Sequence, residues 1–275
     1  DARPMINKGY LGGDLVFEFD ADDLPTDCKK IHDSWTCPNC GEFGKGIVKR
    51  CPKCNTNTKV DEWICDNCIK ATKVQTKKLH NILMSELNID SDEIQVMFSG
   101  HKGFHLKITS PKVYDLNQQQ RLEFMNYISE DGLNFKSLGF IPDEKGSIKY
   151  IGRDYGKGKK YLDYLVRAIK AYDLPELTLM FGGYTRTIKK IVDEKDKVIE
   201  DIKLGNFPKI KDDSVSLWYN LLDSIKDKQK ILIDKQTTVD VKKIIRAENT
   251  IHGGAMLISK VIDIDNLDNF RPFHD

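Results

Sequence analysis

No run of apolar residues in this 275-residue sequence approaches the roughly 20 needed to cross a bilayer. Nothing near its start has the order of charged, apolar and small residues that marks a signal peptide. Both absences point to a cytoplasmic address. Internal repeats and low-complexity tracts are missing as well, so neither a repeat array nor a flexible linker organises the chain. An excess of one charge is lacking: 43 basic residues stand against 42 acidic ones, net +1. Overall electrostatics therefore announces no nucleic-acid binder, and any such contact has to be local. A starting Met is also missing. Asp1 is followed almost at once by a strand-like run, which suggests that residues precede it.

What is present can bury a sizeable core. With 40% hydrophobic and 31% charged residues the sequence reads as one mixed-type domain with room for an inserted module. Six of its seven cysteines form CxxC pairs, Cys37/Cys40, Cys51/Cys54 and Cys65/Cys68. In a chain of this length without a signal, that spacing means metal, zinc first, rather than disulfides. Between Cys28 and Cys68 hydrophobic periodicity fades, as expected of a metal-folded insert over residues 25–70 that builds no core of its own.

Residues 14–20 (DLVFEFD) alternate as a strand does, and residues 70–87 carry apolar side chains at helical spacing. Residues 93–98 and 104–109 read as two strands joined by Ser99-Gly100-His101-Lys102-Gly103, a hairpin tip with polar side chains. Helices are expected over 118–128, 161–172, 186–202 and 216–225, making 111–230 a mainly helical elaboration. A further helix is expected over 238–246, and residues 256–264 return to strand character and close the sheet.

Glu18, Asp20 and Asp22 would share one face if the first strand ran far enough. Three adjacent carboxylates repel one another unless a divalent cation such as Mg²⁺ or Mn²⁺ offsets their charge. Two such ions in one site would suit phosphoryl transfer. Taken alone, an acidic, solvated strand end is the plainer reading. Ser99, His101, Lys102 and His105 surround two glycines, an arrangement that exposes backbone N–H groups to phosphate oxygens. Arg246 and His252 flank a second glycine-containing turn in RAENTIHGG. Asp234, after Ile231-Leu232-Ile233, could add a carboxylate from another strand, and Asp240 is the other candidate.

In this order, GDLVFEFDADDLP, SGHKGFHLKI and RAENTIHGG resemble the three motifs of the archaeal and eukaryotic primase small subunit, within the archaeo-eukaryotic primase superfamily. The resemblance implies an α+β primase (prim-pol) fold spanning residues 1–275. An RRM-like palm sheet would carry an inserted zinc-binding module and the helical elaboration. It implies a nucleotidyltransferase that makes short primers on a single-stranded DNA template from nucleoside triphosphates. Glu18, Asp20 and Asp234 would be catalytic and hold Mg²⁺ or Mn²⁺, as two ions. Ser99, His101, Lys102, His105, Arg246 and His252 would bind the nucleotide, and a primase large subunit would be the partner. Three positions depart from the family pattern. Glu18 replaces the usual first Asp, which leaves Asp20 with Asp22 as an alternative pair; His101 stands where arginine is common; and Gly254 and Ala255 follow where a lysine often does.

Seven cysteines and His32 make two sets of four. Cys28, His32, Cys37 and Cys40 would form one zinc site, similar to the family's zinc knuckle, and Cys51, Cys54, Cys65 and Cys68 a second. Both sites are expected to be structural, and a single zinc is the alternative. A primase-polymerase or gap-filling polymerase of the same superfamily is the competing enzyme reading. From another class, an inactive zinc-containing DNA-binding subunit competes.

Overall fold

The computed structural model describes residues 7, 9–183, 185–210 and 213–274, with the side chain of residue 187 left aside. The chain divides into two compact units, residues 1–129 with 231–275, and residues 130–230.

The first unit begins with β1 (Leu15–Asp20), followed by a short α1 (Lys29–His32) and three brief strands, β2 (Ser34–Thr36), β3 (Phe43–Lys45) and β4 (Lys59–Asp61). Next come α2 (Asp66–Leu87), β5 (Ile94–Phe98), β6 (Gly103–Ile108), α3 (Pro111–Tyr114) and α4 (Gln118–Ser129). The second unit contains a small hairpin, β7 (Phe140–Pro142) with β8 (Ile148–Tyr150), and five helices among its described residues. These are α5 (Gly156–Ala171), α6 (Leu174–Met180), α7 (Thr185–Asp193), α8 (Lys195–Lys203) and α9 (Ser214–Gln229). The chain then returns to the first unit with α10 (Lys235–Val239) and β9 (Lys260–Ile262).

The main sheet is antiparallel, in the order β1-β6-β5-β9. Period-2 alternation sorts its two faces. Leu15, Phe17 and Phe19 of β1 pair with Ile108, Leu106 and Phe104 of β6, and all six are buried. Leu79 and Leu83 of α2 belong to the same apolar cluster and close that face. Burying each such side chain contributes about 1.5–3 kcal/mol. The opposite face carries Val16, Glu18 and Asp20, whose partners across the ladder are Lys107, His105 and Gly103. Gly103 is obligatory there, because a Cβ at that position would meet the Phe19 carbonyl oxygen at 1.8 Å.

Several expectations change. Strand β1 stops at Asp20, and residues 21–23 form a 3₁₀ turn, so Asp22 does not extend the row of carboxylates along the strand. The helix expected over 238–246 is instead the five-residue α10. Asp234 caps its start by accepting from the Gln236 N–H, and the Thr238 hydroxyl donates to the Val16 carbonyl at 2.7 Å. The latter bond ties the helix to β1. The segment expected as one helix over 186–202 is two, α7 and α8, because Glu194 leaves helical space (φ −108°, ψ 29°). Finally, the stretch 111–230 splits: α3 and α4 lie in the first unit, where α4 packs against α10, and only 130–230 forms the second. That second unit closes a core of its own around Tyr161, Leu165, Phe181, Trp218 and Leu221.

Candidate active site

The antiparallel register puts Glu18 directly across from His105, and an isolated bridge places Asp234 on the other flank of Glu18. His105 Nε2 lies 3.3 Å from Glu18 Oε1, while Lys243 Nζ donates to Glu18 Oε2 at 2.8 Å and stands 3.7 Å from Asp234 Oδ2. The Thr237 hydroxyl is 2.6 Å from Glu18 Oε2 and 2.9 Å from Asp234 Oδ2, so it can donate to either. The hydrogen bond from His105 holds the Glu18 carboxyl far below the usual carboxylate range. Asp20, two residues along, behaves oppositely: burial pushes it up to about 6. One strand face thus presents an ionised carboxylate hydrogen-bonded to Lys243 and His105 beside a second whose charge is opposed by its surroundings.

Asp22 reaches the same place from the 3₁₀ turn. Carboxylate oxygens of Asp20, Asp22 and Asp23 lie within 4.8 Å of one another, a group that could hold a metal ion. Lys102 Nζ is 3.4 Å from Asp20 Oδ2 and also bonds Asp22. Lys102 therefore faces carboxylates, with its charge at the mouth of the hairpin tip. Of the two candidates for a third carboxylate, Asp234 joins Glu18 through Thr237 and Lys243. Asp240 lines a larger neighbouring cavity of about 490 Å³.

The remaining expected residues gather at one cavity of about 170 Å³, which Glu18, Asp20, Ser99, His101, Lys102, His105, Arg246 and His252 all line. Gly100 adopts φ +81° to make the tip, whose Ser99 Oγ accepts from the Gly103 N–H at 3.3 Å. The rings of His101 and His252 stack, centroids 4.5 Å apart. His252 Nδ1 accepts from the backbone N–H groups of Gly254 at 3.2 Å and Ala255 at 3.0 Å, which leaves Nε2 as the nitrogen able to donate. Gly254 and Ala255 thus orient the imidazole through their backbone. Lys243 lines this cavity too; in the sequence it falls within the helix expected over 238–246, and no motif sets it apart. His105 Nδ1 is buried without a hydrogen-bond partner among the described residues.

Away from this cavity, the cysteines form two four-ligand groups, regrouped from the order along the chain. Cys28, His32, Cys65 and Cys68 come together, and so do Cys37, Cys40, Cys51 and Cys54. The expected sets Cys28-His32-Cys37-Cys40 and Cys51-Cys54-Cys65-Cys68 are therefore corrected. The physical reason is that the three-stranded sheet β3-β2-β4 brings two similar knuckles together, Cys37-Pro-Asn-Cys40-Gly41 and Cys51-Pro-Lys-Cys54-Asn55. In each, the fifth residue has positive φ and donates its N–H to the carbonyl of the first cysteine. That repeated C-P-x-C-Gly/Asn pattern was the signal available in the sequence. Cys65 and Cys68 instead open α2, next to Cys28 and His32.

Sulfur separations of 3.4–3.6 Å in one group, and of 3.5 and 3.8 Å in the other, suit a tetrahedron of thiolates, whose edge is about 3.8 Å for metal–sulfur bonds near 2.3 Å. Behind His32, the fully buried Asp33 lies 2.7 Å from Nδ1, an orientation that presents Nε2 to the cysteines. Both groups could hold metal ions.

Comparison with known proteins bears directly on this arrangement. The sequence is 26% identical over 251 residues to the DNA primase small subunit PriS of Nitrosopumilus maritimus, covering 90% of this chain and 59% of that protein. It is 25% identical over 310 residues to the protein of the same name from Methanosarcina mazei, covering 100% of this chain and 66% of the relative. For the Staphylothermus marinus protein of that name the identity is 28% over 273 residues, covering 98% and 61%. The chain thus spans less than two thirds of the length of each of these relatives. A family profile described as DNA primase small subunit matches residues 57–264, from the cysteine-rich insert through β9. With more than half of its residues aligned to that profile, this chain belongs to the DNA primase small subunit family.

Proposed function

We propose that this chain is the catalytic part of a DNA primase small subunit, in which the four-stranded sheet is the palm of a prim-pol fold. Its reaction would be template-directed nucleotidyl transfer. The observation that carries the proposal is the single cavity where carboxylates of β1 meet the imidazoles and cations of two glycine-containing turns. Anionic and cationic groups facing each other across about 170 Å³ are what a metal-bound triphosphate requires.

In this reading Glu18, Asp20 and Asp234 hold Mg²⁺ or Mn²⁺, two ions in all, with Asp22 close enough to share the load. Bound ions would neutralise the triphosphate and lower the pKa of an attacking 3′-hydroxyl. The chain's own residues position the phosphates. His252 donates from Nε2, Ser99 and His101 present the hairpin tip, and Lys102 and Arg246 supply charge. His105 orients Glu18 from across the ladder. The hydroxyl of the growing strand, aligned with the α-phosphate, displaces pyrophosphate, so catalysis is positioning plus charge neutralisation. Zinc is the proposed occupant of both cysteine groups, in a structural role, because each set of four is closed and leaves no position for substrate. The template is single-stranded DNA, the substrates are nucleoside triphosphates, and the partner implied by the relatives' name is a large subunit.

The test is synthesis on single-stranded DNA with Mg²⁺ or Mn²⁺, comparing the unaltered protein with Asp20→Ala, each with and without a large subunit. De novo products lost by at least a hundredfold in the variant are expected, the order of effect of losing one transition-state electrostatic contact. Extension of supplied primers alone would identify a gap-filling polymerase instead, and Asp20→Ala activity equal to the unaltered protein would remove β1 from the mechanism.

A further inference from the structure

His101 lines two cavities. One is the carboxylate cavity; the other, of about 700 Å³, is walled also by Trp63, Phe273, His274, Glu62 and Asp66. Among the described residues no lysine or arginine contributes to this second wall, and its one close basic contact is His274 Nε2, 3.5 Å from Asp66 Oδ2. Its rings stand in water. Trp63 is 66% exposed and Phe273 40%, although an indole left in solvent forgoes the burial energy that the other two tryptophans gain. Nor is Trp63 on a loose segment. Its backbone N–H donates to Asp33 Oδ1 at 3.0 Å, the same oxygen that holds His32, and Cys65 follows two residues later. The cysteine group therefore fixes the ring at the rim of the cavity.

Flat rings combined with carboxylates, and no lysine or arginine among the described lining residues, select a definite chemistry. A phosphate is repelled by Glu62 and Asp66, whereas a nucleobase can stack its face on indole and phenyl rings and offer exocyclic amines to carboxylates. Phosphates of the same strand would lie toward the imidazoles of His101 and His252, which are shared with the carboxylate cavity. The volume, about four times that of the carboxylate cavity, exceeds what one set of phosphates there requires.

We propose that this cavity is a stacking site for unpaired bases of the single-stranded template, with Trp63 as its platform. The inference rests on the primase reading above and adds to it the route by which the template is held. It also gives the cysteine group of Cys28, His32, Cys65 and Cys68 a task beyond folding, that of placing the platform.

The protein's own tryptophans supply the assay. Trp35 is 6% exposed and Trp218 is fully buried, so quenching of the accessible emission reports Trp63. Titrating a thymidine oligodeoxynucleotide into the unaltered protein, without nucleotides, should quench this emission. Trp63→Leu should abolish the quench and weaken oligonucleotide binding about tenfold by anisotropy, as expected for loss of a stacked base. Trp63→Phe should restore most of the affinity. Unchanged metal content and near-ultraviolet ellipticity verify that the variants are folded. Equal oligonucleotide affinity in Trp63→Leu and the unaltered protein would overturn the site, as would quenching by a nucleoside triphosphate alone and not by the oligonucleotide. Synthesis assays run in parallel keep the two readings apart: synthesis with no Trp63 effect sinks the stacking site alone, and a Trp63 effect without synthesis sinks the catalytic reading alone.

Discussion

Between Glu18 and Asp234 the fold inserts an ammonium. Lys243 stands 2.8 and 3.7 Å from their carboxylates and also bonds the Thr237 hydroxyl, so it offsets repulsion that a divalent ion would otherwise have to relieve. In the proposed reading, an ion bound there would displace Lys243 from Glu18. Lys243→Met should therefore raise Mn²⁺ affinity, measured by isothermal titration, roughly three- to tenfold, the scale of one partly exposed ion pair of about 1 kcal/mol. The same change should lower the melting temperature of the metal-free protein, because it leaves the two carboxylates facing each other. Unaltered Mn²⁺ affinity would show that Lys243 does not occupy the ion's place. None of this was legible in the sequence. A lysine in VKKIIR acquires its role only because α10 ends after five residues and Lys243 then reaches Glu18 on β1.

Strand β1 was the most legible element because its period of two is written in residue type: Leu15, Phe17 and Phe19 alternate with Val16, Glu18 and Asp20, and burial follows that alternation. The hairpin of β5 and β6 was legible for a similar reason, since its two strand-like runs are divided by a pair of glycines. Pairing among the cysteines was legible only through the repeated C-P-x-C-Gly/Asn pattern. CxxC spacing says that a metal is wanted, but which knuckles meet depends on the β3-β2-β4 sheet, whose three-residue strands carry almost no periodic signal. The end of α10 was equally hidden, because Thr237 and Thr238 spend their hydroxyls on β1 rather than on a longer helix. Alternation along β1 makes a testable statement about stability. Phe17→Ala, at a fully buried position, should cost about 3–5 kcal/mol in urea unfolding. Val16→Ala, on the half-buried opposite face, should cost less than half as much. Similar losses at the two positions would mean that the closed face of the sheet is not where the core lies.

Across the whole molecule, the cysteine-rich insert and the second unit are ordered by different means. Residues 130–230 bury a large set of their own side chains around Trp218 and Tyr161, whereas the cysteine-rich insert has only a small cluster around Trp35, Cys37 and Cys51. A cluster that small cannot offset the entropy of ordering some forty residues, so in the proposed reading the insert's order would depend on metal held by its cysteines in a way that the second unit's does not. The three tryptophans sort themselves accordingly, with Trp35 inside the insert, Trp63 at its edge and Trp218 in the second unit. Removal of metal with a strong chelator should therefore red-shift the emission of Trp35, observed in a Trp63→Phe background, as water reaches its ring. Emission from Trp218 should stay blue, observed with both other tryptophans replaced by Phe, and thermal unfolding followed through it should shift by less than about 2 °C. Parallel exposure of both rings on chelation would mean that the second unit also draws its stability from metal, contrary to what its own core implies.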